Sequence, residues 1–329
     1  MLRDVPMGNV RALILIAIAM FASVLTSADA AEEDLQRYIN EAVMPKIGCR
    51  VHVDGRDLEP MSDNLPMYVI GVEDKRLSVA AFEGDEQTVA VDQVVRVDEA
   101  VAYYTGLIKK NSNDAWSYEM RALAEMFGTG DGSGSPAEER ILADQTRAIE
   151  LGRRRASNYA DRAGTYRRMG KRPEALADLD RAIAVDGKDS LAKVSRADVL
   201  SEMGRWDDAV RQYESVVKED PECSEAENDF AHLLSTCSED RVRNGKQAVK
   251  LALEACELSD WVDHRILDTL ASAYAEAGDF ETAVAMQEKV IEMLEGLDDD
   301  GLREYRDRLK LYQEKKPVRL PPPATAAKA

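Results

Sequence analysis

Tyr159 to Gly187 reads YADRAGTYRRMGKRPEALADLDRAIAVDG. Within it, Ala163, Tyr166 and Gly170 form the pattern Ala-x2-Tyr-x3-Gly, whose skeleton returns 34 residues on at Ala197, Leu200 and Gly204. It returns again at Ala271, Tyr274 and Gly278. Five positions after each glycine stands a small residue, Ala175, Ala209 or Ala283, and seven further on stands Ala182, Val216 or Val290. A fixed period of this length marks a stacked repeat. Small residues let two helix axes approach closely, glycine ends the first helix, and apolar residues at helical spacing face the partner. One hairpin leaves its apolar face wet, so the unit must be stacked to be stable.

These residues resemble the tetratricopeptide repeat, and Leu267 to Met293 (LDTLASAYAEAGDFETAVAMQEKVIEM) is similar to it as well. With that repeat as a ruler, an irregular unit begins near Trp116, its turn stretched by seven residues in Gly128 to Ser135. Another begins near Ser224, with a five-residue insertion around Ser238 to Gly245. A leading helix from Asp98 to Lys110 places Ala100, Tyr104 and Leu107 in second-helix positions. The resemblance implies a mostly α chain: an α-solenoid (an α-α superhelix) over 98–295, with about five hairpins after the leading helix. Leu302, Tyr305, Leu309 and Tyr312 predict a capping helix in 296–314, and the Pro/Ala-rich stretch 315–329 reads as a disordered tail. Phe230 to Trp261 resembles a variant found in secreted repeat proteins of planctomycete-type bacteria.

Residues 31–97 have a different texture. Leu35, Ile39 and Val43 predict a short helix over Glu33–Met44. The β-rich runs Arg50–Val53, Met67–Val72, Leu77–Phe82 and Thr88–Val91 follow, separated by turn residues. Their order resembles a small SH3-like β-barrel. Such domains usually present an aromatic groove, but here only Tyr68 and Phe82 are available.

Arg3, Arg11, the apolar run Ala12–Leu25 and the small residues before Ala31 read as a signal peptide over residues 1–30. The chain is therefore expected to be exported, periplasmic or secreted, with the leader either cleaved or kept as an N-terminal anchor. The expected chain has no membrane span once the signal is removed. A formal net charge of −19 repels nucleic-acid phosphates and attracts cationic partners.

Residue patterns for catalysis are missing: His52, His232 and His264 have no metal-ligand spacing, and GTGDGSGS lacks the ending of a phosphate loop. The chain reads as a non-enzyme without cofactor or metal. The four cysteines, Cys49, Cys223, Cys237 and Cys256, leave pairing open. One local feature stands out. Eight basic residues lie between Arg153 and Arg172 against one acid, Asp161. Arg121, Arg162 and Arg196 share one repeat position and Asp144 and Asp178 another, predicting ion pairs of Arg162 with Asp144 and Arg196 with Asp178 between hairpins.

What remains, Arg153, Arg154, Arg155, Arg167, Arg168 and Arg172, is a candidate patch for an acidic protein or peptide. Self-association against the acidic C-terminal hairpin is the alternative. The family resemblance implies a groove lined by first helices. By register this includes Trp116, Glu119 and Leu123, then Ala160, Gly164 and Arg167, then Val194, Asp198, Asn228, His232, Asp268 and Ser272. Trp116 is the candidate hot spot, with packing under the leading helix as its other role. Two functions follow from this reading. One is an extracytoplasmic scaffold binding a peptide in the groove; the other is an envelope structural protein whose β domain holds polymer while the repeats self-associate.

Overall fold

A computed structural model describes residue 38 and residues 42–53, 56–58, 66–73, 76–80, 87–128, 136–294, 296 and 299–322. The signal segment and most of the expected helix at Glu33–Met44 lie outside these residues. The chain divides into two compact units, one ending at Asp178 and the other running on from Leu179.

The first unit opens with seven strands: β1 Ala42–Pro45, β2 Val51–Val53, β3 Arg56–Leu58, β4 Met67–Glu73, β5 Arg76–Ala80, β6 Gln87–Ala90 and β7 Val94–Arg96. They form one antiparallel sheet in the order β3-β2-β6-β5-β4-β1-β7. Alternation fixes its buried face, with Leu77 and Val79 opposite Val89 and Gln87 across the β5–β6 pair. A register shift between Val69 and Gly71 bends β4. The expected helix does not reach its end, because Ala42–Met44 belong to β1 and pair with both β4 and β7. Cross-strand pairing on both edges outweighs a weak helical pattern of three apolar residues.

Helices follow: α1 Val97–Lys110, α2 Ala115–Gly128, α3 Pro136–Glu150, α4 Ala156–Arg168 and α5 Arg172–Val185. The unit boundary falls within α5. The sheet and the first helices share one core, in which Val43, Met44, Leu77 and Val89 cluster with Ala100, Tyr104, Met120 and Leu123. Tyr104 is fully buried, and its hydroxyl donates to the Pro45 carbonyl at 2.7 Å. That bond gives the phenol its partner in a site whose desolvation raises its pKa.

The second unit stacks α6 Ser190–Glu202 on α7 Trp206–Glu219, α8 Ser224–Thr236 on α9 Gly245–Leu258, and α10 His264–Glu276 on α11 Phe280–Met293. The final helix, α12 Asp299–Gln313, packs on α11. The repeat alanines do what their spacing requires: Ala197, Ala209, Ala271 and Ala283 are fully buried where helices cross. The glycines end first helices in a left-handed turn, with Gly204 at φ 75° and Gly278 at φ 87°. The next residue then donates back five positions, Arg205 to Leu200 and Asp279 to Tyr274, both at 2.9 Å. Second helices start on side-chain caps where the sequence offers them: Asn244 accepts from Gln247 and Asp279 from Thr282.

The four cysteines are free and buried. Burial pushes the Cys49 thiol up to about 11 and the Cys256 thiol to about 12, so neither is an activated nucleophile. Of the expected tail, residues 323–329 lie outside the described residues. The segment 315–322 runs back over the second unit, with Val318 packed against the cluster of Ala271, Ala275, Ala283 and Tyr312.

Candidate functional site

Three arginines at one repeat position form a ladder, but with partners other than those expected. Arg162 on α4 forks onto Asp178 of its own hairpin at 2.6 and 2.9 Å, not onto Asp144. Arg121 on α2 takes Asp144 in the same way at 2.6 and 2.8 Å. Their remaining amino groups reach one helix back, to Thr105 from Arg121 and to Thr146 from Arg162. Arg196 carries glutamine at the forward position, Gln212, so it turns back to Asp180 at 2.7 Å instead of Asp178. Each arginine thus ties the two helices of its hairpin to the helix before. The ladder is architecture.

The basic run is broken up in the same way. Arg153 and Arg155 both pair with Glu119, a buried carboxylate on α2 that also accepts from Asn158 at 2.6 Å. Arg168 pairs with buried Glu138 at 2.9 Å, and Arg154 donates to the Ile149 carbonyl at 3.4 Å. Arg167 and Arg172 are half-buried and engaged as well. Acids distant in sequence therefore supply counter-charges inside the window, and the arginines do not form one open cationic patch. Trp116 is also half-buried, edge-on to Tyr104 with ring centroids 5.6 Å apart, on the core shared with the sheet. Its contacts are those of the packing role.

In the second unit the first helices present polar side chains on the face where a groove was expected. Asn228 donates to Asp229 at 2.9 Å, and Tyr213 donates to Asp198. On α10 that face is already occupied by α12. Arg308 pairs with Asp268, the Tyr312 hydroxyl meets the Ser272 hydroxyl at 2.9 Å, and Tyr305 stands edge-on to His264. Beyond α12 the chain passes the C-terminal ends of α8 and α10. The Leu320 amide donates to the Thr236 carbonyl at 2.9 Å, and Arg319 lies 2.6 Å from Glu276 and 3.4 Å from the Ser235 carbonyl. Glu276 is shared with Arg243, which also donates to the Cys237 carbonyl at 2.8 Å. Nothing local in KKPVRLPP announces this docking; its partners lie far back in the chain.

Two titrating groups sit on α8, Glu227 buried and His232 half-buried. Burial and the nearby Arg308 push His232 down to about 4, while burial and the charges of Glu254 and Glu257 raise Glu227 to about 7. The two act on stability with opposite signs. As pH falls from 6.5 to about 4, the unfolded chain takes up a proton that folded His232 refuses, and stability is lost. As pH falls from about 7 to 4.5, folded Glu227 takes up a proton before the unfolded chain does, and stability is gained. Between pH 6 and pH 5 the two contributions run in opposite directions, so they offset. Urea melts of Glu227→Gln should lose stability relative to wild type on moving from pH 6 to pH 5, and His232→Gln should gain it. Parallel pH profiles for the two variants would refute the opposition.

Among the described residues no three His, Cys, Asp or Glu side chains are grouped to hold a metal ion, and no helix is long and apolar enough to cross a membrane.

Residues 194–229 and 265–297 match family models described as tetratricopeptide repeat. No curated protein matches the chain. Among solved structures, a tetratricopeptide repeat protein from Parabacteroides merdae shares 17% identity over 67% of this chain and 81% of its own, with a TM-score of 0.51. The Cut9-Hcn1 hetero-tetramer of the APC/C shares 12% over 66% of this chain and 39% of that one, at 0.52. The chain carries tetratricopeptide repeats, a fold that generally serves protein–protein interaction.

Proposed function

We propose that this chain is a non-enzymatic interaction scaffold of an extracytoplasmic compartment, binding an extended peptide or protein segment across the first helices of its repeats. The observation that carries the reading is the extended segment Pro317–Pro322, which already lies across the ends of α8 and α10 and is held by a main-chain hydrogen bond at Thr236. A face that accepts one extended segment through backbone and charge has the chemistry to accept another. With Arg153, Arg155 and Arg168 committed to buried acids, a basic partner suits the remaining surface of a −19 chain better than an acidic one. The small sheet is read as an SH3-like spacer, since it shares its core with α1 and α2.

Cross-linking in intact cells, followed by identification of the captured protein, tests the scaffold reading; recovery of the uncross-linked chain alone would count against it. Export is tested separately. The mature protein should begin at Ala31 by intact-mass measurement, and a cytoplasmic chain retaining Met1 would remove the compartment from the proposal.

A further inference from the structure

We propose that Pro317–Leu320 is a tethered ligand, so that the site at the ends of α8 and α10 recognises an extended segment carrying arginine after a small apolar residue, and that the free protein holds its own tail there. The inference rests on the peptide-binding reading above and names both the ligand chemistry and the competitor.

The site is built for a cation. α8 ends at Thr236 and α10 at Glu276, so two helices direct the negative ends of their dipoles at one place. Glu276 is 13% exposed and already partnered by Arg243, but Arg243 also serves exposed Asp240. Two carboxylates face one arginine until Arg319 enters and balances them. On either side, Val318 packs on the cluster of Ala271, Ala275, Ala283 and Tyr312, and the Leu320 amide satisfies the Thr236 carbonyl, one of the acceptors that a helix end leaves open. Pro317 and Pro321 hold the flanking chain extended.

The same contacts show that the tail can be displaced. Pro317 and Val318 are only half-buried, the Arg319 side chain is 36% exposed, and Leu320 is 44% exposed. One main-chain hydrogen bond, one partly screened ion pair, a long Arg319 contact to the Ser235 carbonyl and a valine make a weak complex that proximity keeps closed. A tethered segment acts at an effective concentration on the order of 1 mM, so a free peptide with a dissociation constant of about 0.1 mM is held off roughly ten-fold.

The test uses the full chain and a fluorescent peptide of residues 315–322, KKPVRLPP. Arg319→Glu in the protein sets a carboxylate against Glu276 and expels the tail while leaving every helix intact, which a thermal melt verifies. By anisotropy the peptide should bind the R319E protein about ten-fold more tightly than wild type. That binding should be lost when Glu276→Gln is added, or when the peptide carries alanine at the arginine. Equal affinity for wild type and R319E, no binding to R319E at millimolar peptide, or indifference to the peptide's arginine would each overturn the proposal. A wild-type dimer that dissociates on Arg319→Glu would also overturn it, by placing the tail in a second copy. An array of unrelated peptides on the R319E protein separates the two readings: capture of others without the tail peptide defeats only this inference, and capture of none defeats the scaffold reading too.

Discussion

Replacing Asp178 by alanine is expected to destabilise the protein by about 3–5 kcal/mol, the loss typical of breaking a buried ion pair from one side. Asp178 is fully buried, and the Arg162 side chain it holds is 9% exposed. Without the carboxylate, the guanidinium keeps only the Thr146 hydroxyl at 3.3 Å and the Tyr166 ring, whose centroid is 5.8 Å away. Neither neutralises a charge, and water has little access. The ladder supplies its own control. Arg196 sits at the same repeat position, but its partner Asp180 is 54% exposed, so Arg196→Ala should cost less than about 1 kcal/mol. Asp144→Ala falls between them, since Arg121 is 21% exposed. If orphaning is the cause, the double variant Arg162→Met with Asp178→Leu should recover most of the loss in a denaturant melt. Asp178→Ala and Arg196→Ala with equal midpoints would refute burial as the deciding factor.

The sequence made the ladder visible but not its wiring. A 34-residue period shows that Arg121, Arg162 and Arg196 are equivalent. It does not say whether Arg162 meets the aspartate 16 residues ahead or the one 18 residues behind, because both lie on neighbouring helices. The structure chooses the forward one, at Asp178. Arg121 reaches 23 residues forward to Asp144 because the seven-residue stretch in the intervening turn lengthens the path without moving the register.

Local signals of full strength were equally readable: the buried alanines, the glycine turns, and β2, β4, β5 and β6. What escaped were elements defined by distant partners. β1, β3 and β7 are three or four residues long and exist through pairing. The basic run looked like a patch because Glu119 and Glu138, which neutralise part of it, lie outside the window. The positions Asp268 and Ser272 read as an open groove because α12, which covers them, comes 40 residues later. The tail looked disordered because its anchors, Glu276 and Thr236, belong to other helices.

Gly245→Ala is expected to cost about 1–2 kcal/mol, although alanine is the better helix former. Gly245 is the first residue of α9, where exchange for alanine would ordinarily gain about 0.5–1 kcal/mol from backbone entropy. Here a Cβ would stand 2.5 Å from the Ala277 amide nitrogen and 2.7 Å from the Glu276 carbonyl carbon. Those are backbone atoms at the end of α10, so no side-chain rotation relieves them, and α9 must move away from α10. Overpacking of this kind typically costs about 1–3 kcal/mol, which exceeds the helix gain and sets the sign. Gly106 in α1 has open space where its Cβ would be, and Gly106→Ala should therefore raise stability by about 0.5–1 kcal/mol. The Gly245 variant should also disturb Glu276, and with it Arg243 and Arg319, so the chain beyond Lys316 should become more accessible to protease in the folded protein. A Gly245→Ala protein as stable as wild type, with its tail equally protected, would mean that α9 and α10 do not approach as closely as described, and the anchor of the docked segment would need another explanation.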